Sequence, residues 1–348
     1  MMIEVLIVED SPVLQILLEH ICSSEPELHV MGIACDGEQA LEFVKRKKPD
    51  VISMDVHMPK MNGFDATRAI METNPVPIVM VSASWNPEDV ETMFRALDAG
   101  AVSVVEKPPG IDHPDFVSLA GNMVQTLKLM SEVKVVRRWG PSHRAKNTVP
   151  PVKAEMRLTG NRIKCVAIGA STGGPPVLQT ILSGLPGDFP AAVLIVQHIA
   201  AGFLPGLVDW LGQFAKLPVH IATHGEPALP GHVFLAPDGF QMGVDAGHRI
   251  FLCKDAPENG LRPAISYLFR TVSNVFGPGA AGVLLTGMGT DGAEELKWLK
   301  EKGALTIAQD RDSSVVNGMP GRAVELGAAT FVLPPDGIAS TLASLAKR

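Results

Sequence analysis

Residues 163–176 read IKCVAIGASTGGPP. A short apolar run breaks into small residues and glycines, and two prolines follow where a helix would begin. That is the signature of a strand, a tight turn and a helix. The same alternation continues on both sides. Toward the C-terminus, strands are expected at 164–168, 192–197, 233–236, 282–286, 304–308 and 330–333, with helices after Pro175, Phe203, Arg262, Gly292 and Gly337. Toward the N-terminus, β-branched runs at 5–8, 30–33, 51–54, 78–81 and 102–105 alternate with helical patterns such as 13–21, 38–47 and 86–97. Ser11 is expected to cap the first of these helices, with Pro12 in its first turn. Strands alternating with helices imply a parallel sheet covered on both faces. The expected architecture is α/β in both halves. The N-terminal domain is a doubly wound five-stranded sheet, and the C-terminal domain is doubly wound and mostly parallel, with hairpins added between 219 and 253.

Between the halves the chain changes character. From Lys128 to Lys164, ten Lys or Arg residues stand against Glu132 and Glu155 only, and prolines punctuate the stretch. The expected division is a domain over 1–125, a basic linker over 126–162 and a second domain over 163–348. The composition excludes several classes of function. Hydrophobic residues are 46% and charged residues 19%, which is the balance of a folded, core-forming chain. The 30 basic residues against 37 acidic give a net charge of −7, and the chain has a single tyrosine, so no nucleic-acid partner is expected. Four scattered cysteines without a CxxC pair read as reduced thiols of a cytoplasmic protein rather than a zinc site. No apolar run approaches 18 residues, so no membrane insertion is expected, and MMIEVLIVEDSP lacks the basic start of a signal peptide.

Ligands of an open parallel sheet sit beyond the carboxyl ends of its strands. In the first half, Glu9 and Asp10 follow the first strand, Asp55 the third, Ser82 closes the fourth, and Lys107 follows the fifth. Carboxylates gathered at one edge repel one another unless a cation joins them, and Mg²⁺ prefers such hard oxygen ligands. A neutralised carboxylate could then attack a phosphoryl group, with Lys107 pairing the new charge. Any single acid here could instead be a helix cap. The joint pattern, carried by LIVEDSP, MDVHMPKMNGFD, PIVMVSAS and VSVVEKP, resembles the receiver domain of two-component response regulators. The resemblance implies phosphorylation on Asp55. It also implies Mg²⁺ held by Glu9, Asp10, Asp55 and the backbone carbonyl of His57, with switching through Ser82 and Lys107. Receivers often carry an aromatic residue three positions before the lysine, where this chain has Val104.

In the second half, Gly169-Ala170-Ser171-Thr172-Gly173 fits the G-x-S-x-G nucleophile pattern, in which a tight turn exposes a serine at a helix N-terminus. A phosphate-binding turn would use the same glycines. A serine needs a base, and the strand AAVLIVQH ends in His198. The run AGVLLTGMGTDGA carries Asp291 in the loop after another strand, with Asp310 and Asp238 as rivals for its place. Ser171, His198 and Asp291 would then meet on one rim as nucleophile, base and orienting carboxylate. Their order differs from the Ser–Asp–His order of α/β-hydrolases.

This half resembles the catalytic domain of the chemotaxis protein-glutamate methylesterases. The carriers are IGASTGGPP, LIVQHIAAGF, VFLAPDGFQM, LRPAISYLF, VLLTGMGTDGA and AQDRDSSVVNGMPGRAVELGA. A receiver followed by this domain is the layout of that family. The resemblance implies a phosphorylation-regulated serine hydrolase acting on glutamate γ-methyl esters of methyl-accepting chemoreceptors, with deamidation of specific glutamines as a second activity. It implies the triad Ser171, His198 and Asp291, a site lined by Thr172 and Met288 with the Met288 N–H as oxyanion donor, a chemotaxis histidine kinase as phosphodonor, and no cofactor for ester hydrolysis. Three stretches depart from the family pattern: 199–204 after the histidine, Val208-Asp209-Trp210, and Ser313 to Asn317. The first two are expected to face substrate and the third to be a packing change. The alternative function is a phosphorylation-switched binding protein, against which the intact Ser171, His198 and Asp291 argue.

Overall fold

The computed structural model describes residues 2–82, 97, 99–133, 135, 163–199 and 202–346. The chain divides into two compact units, Met1–Ala145 and Lys146–Arg348. The first is built on five strands: β1 (Ile3–Val8), β2 (Leu28–Ala34), β3 (Val51–Asp55), β4 (Ile78–Ser82) and β5 (Ser103–Glu106). All pairings are parallel, in the order β2-β1-β3-β4-β5. The described helices are α1 (Pro12–Ser23), α2 (Gly37–Arg46), α3 (Gly63–Thr73) and α4 (Phe116–Ser131). β3 and β4 are buried along their whole length, which is why they read as continuous apolar runs rather than alternating ones.

The Asp36 carboxylate caps α2 through the Gln39 N–H, and the Asn62 side chain caps α3 through the N–H groups of Phe64 and Asp65. Ser11 departs from expectation. It holds the cap position of α1 in extended backbone, but its hydroxyl accepts no cap bond. Its N–H instead donates to Glu9 Oε1 at 3.3 Å, while Gln15 Nε2 donates to the Glu9 carbonyl at 2.6 Å. The buried carboxylate thus holds the chain as it leaves β1. Apart from Leu97 and Ala99, the segment around the helix expected at 86–97 lies outside the described residues. α4 continues to Ser131, because Met123, Leu127 and Met130 bury one of its faces. The boundary expected at 125 therefore falls inside a helix, and most of the linker expected beyond it lies outside the described residues.

The second unit carries a seven-stranded, wholly parallel sheet. Its strands are β6 (Cys165–Ala170), β7 (Ala192–Gln197), β8 (Val219–Ile221), β9 (Val233–Leu235), β12 (Ala280–Leu284), β13 (Leu305–Gln309) and β14 (Phe331–Leu333). They run β14-β13-β12-β6-β7-β9-β8. Around them lie α5 (Gly174–Gly184), α6 (Leu204–Phe214), α7 (Ile265–Phe276), α8 (Ala293–Glu301), α9 (Met319–Glu325) and α10 (Pro335–Ala346). The remaining strands, β10 (Gln241–Val244) and β11 (Ile250–Cys253), form a separate antiparallel pair. α7 lies between this pair and the main sheet and buries Leu268, Phe269 and Val272.

Only β10 and β11 form the hairpin expected between 219 and 253. β8 and β9 run parallel, because residues 222–232 are long enough to return the chain to the same end of the sheet. α9 has no counterpart in the sequence reading, since seven residues are too few for a helical period to stand out.

Candidate active site and phosphoacceptor pocket

β6 is buried throughout and ends at Ala170, so Ser171 is the first residue off the strand. Its N–H donates to the Thr286 carbonyl at 3.0 Å, and its carbonyl accepts from the Gly174 N–H at 2.8 Å, closing the turn. Gly173 takes a φ of 77°, and a Cβ there would lie 2.6 Å from Val315. Both facts require glycine. α5 starts at the next residue, so its positive dipole end lies beside the serine; its first N–H, on Gly174, is spent on the turn, and Pro175 and Pro176 carry none.

β7 pairs with β6 so that Gln197 stands opposite Ala170. The next residue, His198, donates its N–H to the Ala170 carbonyl at 2.9 Å, which sets the imidazole beside the nucleophile turn. β12 lies on the other side of β6, and the loop after it carries Asp291. Nε2 of His198 is 3.1 Å from Oδ2 of Asp291, within ion-pair reach but misaligned for a hydrogen bond. Ser171 Oγ makes no hydrogen bond to the imidazole among the described residues. Such bonds commonly tighten only when substrate is present.

Asp291 is buried, and it takes the place of a cap for α7. Its Oδ2 accepts the Ile265 N–H at 2.7 Å and its Oδ1 the Ser266 N–H at 3.0 Å. The Ser266 hydroxyl in turn accepts the Gly292 N–H at 3.0 Å. Burial pushes the pKa of this carboxyl up, but His198 and the donors at Ser266 and Ile265 outweigh it, leaving the pKa below its ordinary value. A carboxyl with a depressed folded pKa adds stability above its unfolded pKa, roughly 3.9, and loses it as pH falls through the folded one. The unfolding midpoints of wild type and Asp291→Asn should therefore lie furthest apart above about pH 5 and converge in acid. Urea titrations from pH 3 to 7 check this, and a constant gap across that range would contradict it.

The rivals for Asp291 serve elsewhere. Asp310 Oδ1 accepts from the N–H of Ser313 at 2.9 Å, within its own turn after β13. Asp238 Oδ2 accepts the Gly202 N–H at 3.0 Å. Asp238 and His198 both line a groove of about 260 Å³, with Ile199, Gly239, Leu261 and Arg262 completing much of its wall. Arg262 was not anticipated from sequence as a site residue, nor was the buried brace behind the serine. In that brace Thr286 donates through Oγ1 to the Thr172 carbonyl at 3.0 Å and accepts the Val316 N–H at 2.9 Å. The Thr286 N–H donates to Gln309 Oε1 at 2.8 Å, and Gln309 Nε2 donates to the Ser313 carbonyl at 2.9 Å. The stretch from Ser313 to Asn317, expected to be a packing change, thus supports the nucleophile turn.

Met288 follows Gly287 in the loop after β12 and is 41% exposed. Of the positions expected to face substrate, Ile199 lines the groove. Trp210 does not. It is buried in α6, edge-on to Phe214 at 5.5 Å, because that helix needs a large apolar anchor against the sheet. Residues 200 and 201 lie outside the described residues.

In the first unit the expected pocket residues converge. Lys107 Nζ lies 2.7 Å from Glu9 Oε2 and 2.8 Å from Asp55 Oδ1, and all three side chains are buried. Burial alone would lower the lysine pKa, but Asp55 and Glu9 hold it above the ordinary value. The Glu9 carboxyl is pushed up by burial, against the opposing effect of Lys107. Exposed Asp10 completes a group whose carboxylate oxygens lie within 4.8 Å of one another. An all-carboxylate set open to solvent at Asp10 fits a hard divalent cation such as Mg²⁺. Ser82 is buried with its hydroxyl unpartnered among the described residues, which fits a group that gains a hydrogen bond when a phosphoryl oxygen arrives. His57 follows two residues after Asp55 on an exposed stretch. Val104 sits in β5 opposite Met80 of β4.

A parallel sheet that presents serine, histidine and a buried aspartate at one edge, in a chain that also carries this acidic pocket, defines a receiver-linked hydrolase. Residues 166–342 match the family described as CheB methylesterase, and residues 5–118 match the response regulator receiver domain. The chain belongs to the CheB methylesterase family. It is 54% identical over 344 residues to a protein-glutamate methylesterase/protein-glutamine glutaminase of Nitrosospira multiformis, covering 99% of this chain and 97% of the relative. A relative of the same description from Syntrophus aciditrophicus is 53% identical over 347 residues, covering 99% of each. The crystal structure of the Thermotoga maritima CheB methylesterase catalytic domain superposes with a TM-score of 0.51 at 38% identity, covering 53% of this chain and 98% of that one. No described helix is long and apolar enough to cross a membrane.

Proposed function

We propose that this chain removes γ-methyl groups from glutamate esters, and amide groups from specific glutamines, on the cytoplasmic helices of methyl-accepting chemoreceptors, under control of phosphorylation at Asp55. The observation that carries the chemistry is the approach of His198 Nε2 to Asp291 Oδ2 at 3.1 Å, beside the turn that presents Ser171. Because Nε2 faces the carboxylate, Nδ1 is the nitrogen left to take the serine proton. Ser171 Oγ attacks the ester carbonyl, and the Met288 N–H receives the oxyanion beside the positive end of α5, with Thr172 lining the site. The imidazolium then protonates the departing methoxide, releasing methanol. A water molecule, deprotonated by the same imidazole, hydrolyses the acyl-serine and frees a glutamate carboxylate. With a side-chain amide the leaving group is ammonia, and nothing else changes.

In the receiver, Glu9, Asp10, Asp55 and the His57 carbonyl would hold Mg²⁺, which when bound offsets the negative charge of both carboxylates and phosphate. A chemotaxis histidine kinase in the cytoplasm is the phosphodonor this reading requires. Lys107, already within 2.8 Å of Asp55, is placed to pair with the phosphoryl group, and Ser82 to donate to it. The test is methanol release from a methylated chemoreceptor cytoplasmic fragment, with and without acetyl phosphate and Mg²⁺. Wild type should respond to the phosphodonor. Asp55→Asn should release methanol at the unstimulated rate and ignore the phosphodonor; stimulation that survives this change would remove Asp55 from the reading.

A further inference from the structure

Gln197 is the last residue of β7, and its side chain is 5% exposed. Its amide nitrogen has two protons and uses both. One is donated to the carbonyl of Ser171 at 2.9 Å, the other to the carbonyl of His198 at 2.8 Å. A single planar group therefore ties the backbone of the serine to the backbone of the histidine. The other end of the same amide is different. Oε1 is buried without a partner, pressed against α5 where a Cβ on Gly174 would lie 2.2 Å from it.

An unpaired buried acceptor is unfavourable, and a residue serving only to fill this space would be better apolar. Methionine matches the shape of glutamine and carries no strong acceptor. What glutamine adds at this position is the pair of donors. The Ser171 carbonyl also accepts from Gly174 within the turn, whereas Gln197 is the one donor to the His198 carbonyl among the described residues, His198 being anchored to Ala170 through its N–H. The amide adds a direct tie between the two reacting residues across the gap between β6 and β7.

We infer that Gln197 is a positioning residue, whose amide sets the separation of Ser171 and His198 through their carbonyls and thereby the alignment of nucleophile and base. This rests on the reading of those two residues as nucleophile and base. Misplacing reacting groups by about an ångström lowers turnover roughly a hundredfold. The experiment uses the full chain and Gln197→Met, with three measurements: kcat and KM for methanol release from methylated receptor fragment, the rate of covalent labelling of Ser171 by a fluorophosphonate, and the thermal midpoint. The expected result is a kcat lower by about tenfold to a hundredfold, KM within about twofold, labelling slowed in parallel, and a thermal midpoint within a few degrees of wild type, since the loss of the His198 carbonyl's donor is offset by removal of the unpaired Oε1.

A kcat and labelling rate unchanged in Gln197→Met would overturn the inference. So would a fall in both accompanied by a drop in thermal midpoint larger than a few degrees, the mark of a purely structural role. Labelling reports serine reactivity without any receptor. If wild type labels but releases no methanol, the proposed substrate is wrong, and the labelling comparison still decides the role of Gln197. If wild type does not label, the nucleophile and this inference fall together.

Discussion

Ser171→Ala should lower methanol release from methylated receptor fragment by roughly a thousandfold to a millionfold, with the fold unchanged. The fold should survive because every described hydrogen bond of Ser171 is made by its backbone. Its N–H meets Thr286, and its carbonyl meets Gly174 and Gln197. Alanine keeps all three, and its Cβ occupies the place of the serine Cβ against Gly287. Only the hydroxyl goes. What remains is the oxyanion environment at α5 and the imidazole, which can still activate water, so the residual rate should exceed that of the uncatalysed reaction. A variant that keeps a tenth of wild-type release would show that the serine is not the nucleophile and would move the weight to a water attacking directly from His198. Mass spectrometry after quenching in acid adds a second check, since only the serine enzyme can carry an acyl adduct.

Asp291→Asn should be nearly as damaging to turnover, by roughly a thousandfold to ten-thousandfold, for a different reason. The aspartate accepts from the Ile265 and Ser266 N–H groups, and His198 Nε2 stands 3.1 Å from its Oδ2. Asparagine has the same shape but only one accepting oxygen. Its amide N–H₂ must face one of these donors, so either α7 loses part of its cap or the imidazole meets a donor and turns to the wrong tautomer. The lost negative charge also ceases to stabilise the imidazolium formed during attack. The variant should therefore lose kcat with little change in KM, and it should lose about 1 kcal/mol of stability at neutral pH from the weakened cap. A turnover within threefold of wild type would mean that the carboxylate serves α7 alone.

The parts of this molecule that could be read from sequence are those in which one element carries its own signal. β-branched and apolar runs marked all nine described main-sheet strands of four residues or more, because burial on both faces makes most of them continuously apolar. The placement of Ser171, His198 and Asp291 at one edge was legible because each follows such a run, and parallel strands bring their carboxyl ends together. The features missed are tertiary. Nothing local to Asp291 tells that it holds the start of a helix 26 residues earlier in the chain. Gln197 reads as the polar end of a strand until its two acceptors are in view. β8 and β9 have three residues each, too short for a period to separate a crossover from a hairpin. Ser11 carries the local sign of a cap, and the buried Glu9 carboxylate overrides it. Trp210 lay in a stretch that departs from the family pattern, yet the departure is an apolar one and goes to the core.

The double duty of Asp291 has a consequence for how copies of this gene can decay. A duplicate released from selection for hydrolysis can lose the Ser171 hydroxyl or the His198 ring with little damage to the chain, because the contacts that hold the turn and the strand end are made by backbone. It cannot lose the Asp291 carboxylate so cheaply, since α7 begins on it. Descendants that have become non-enzymatic should therefore still carry the aspartate long after the other two have drifted, and its persistence in such a lineage is a record of folding rather than of catalysis.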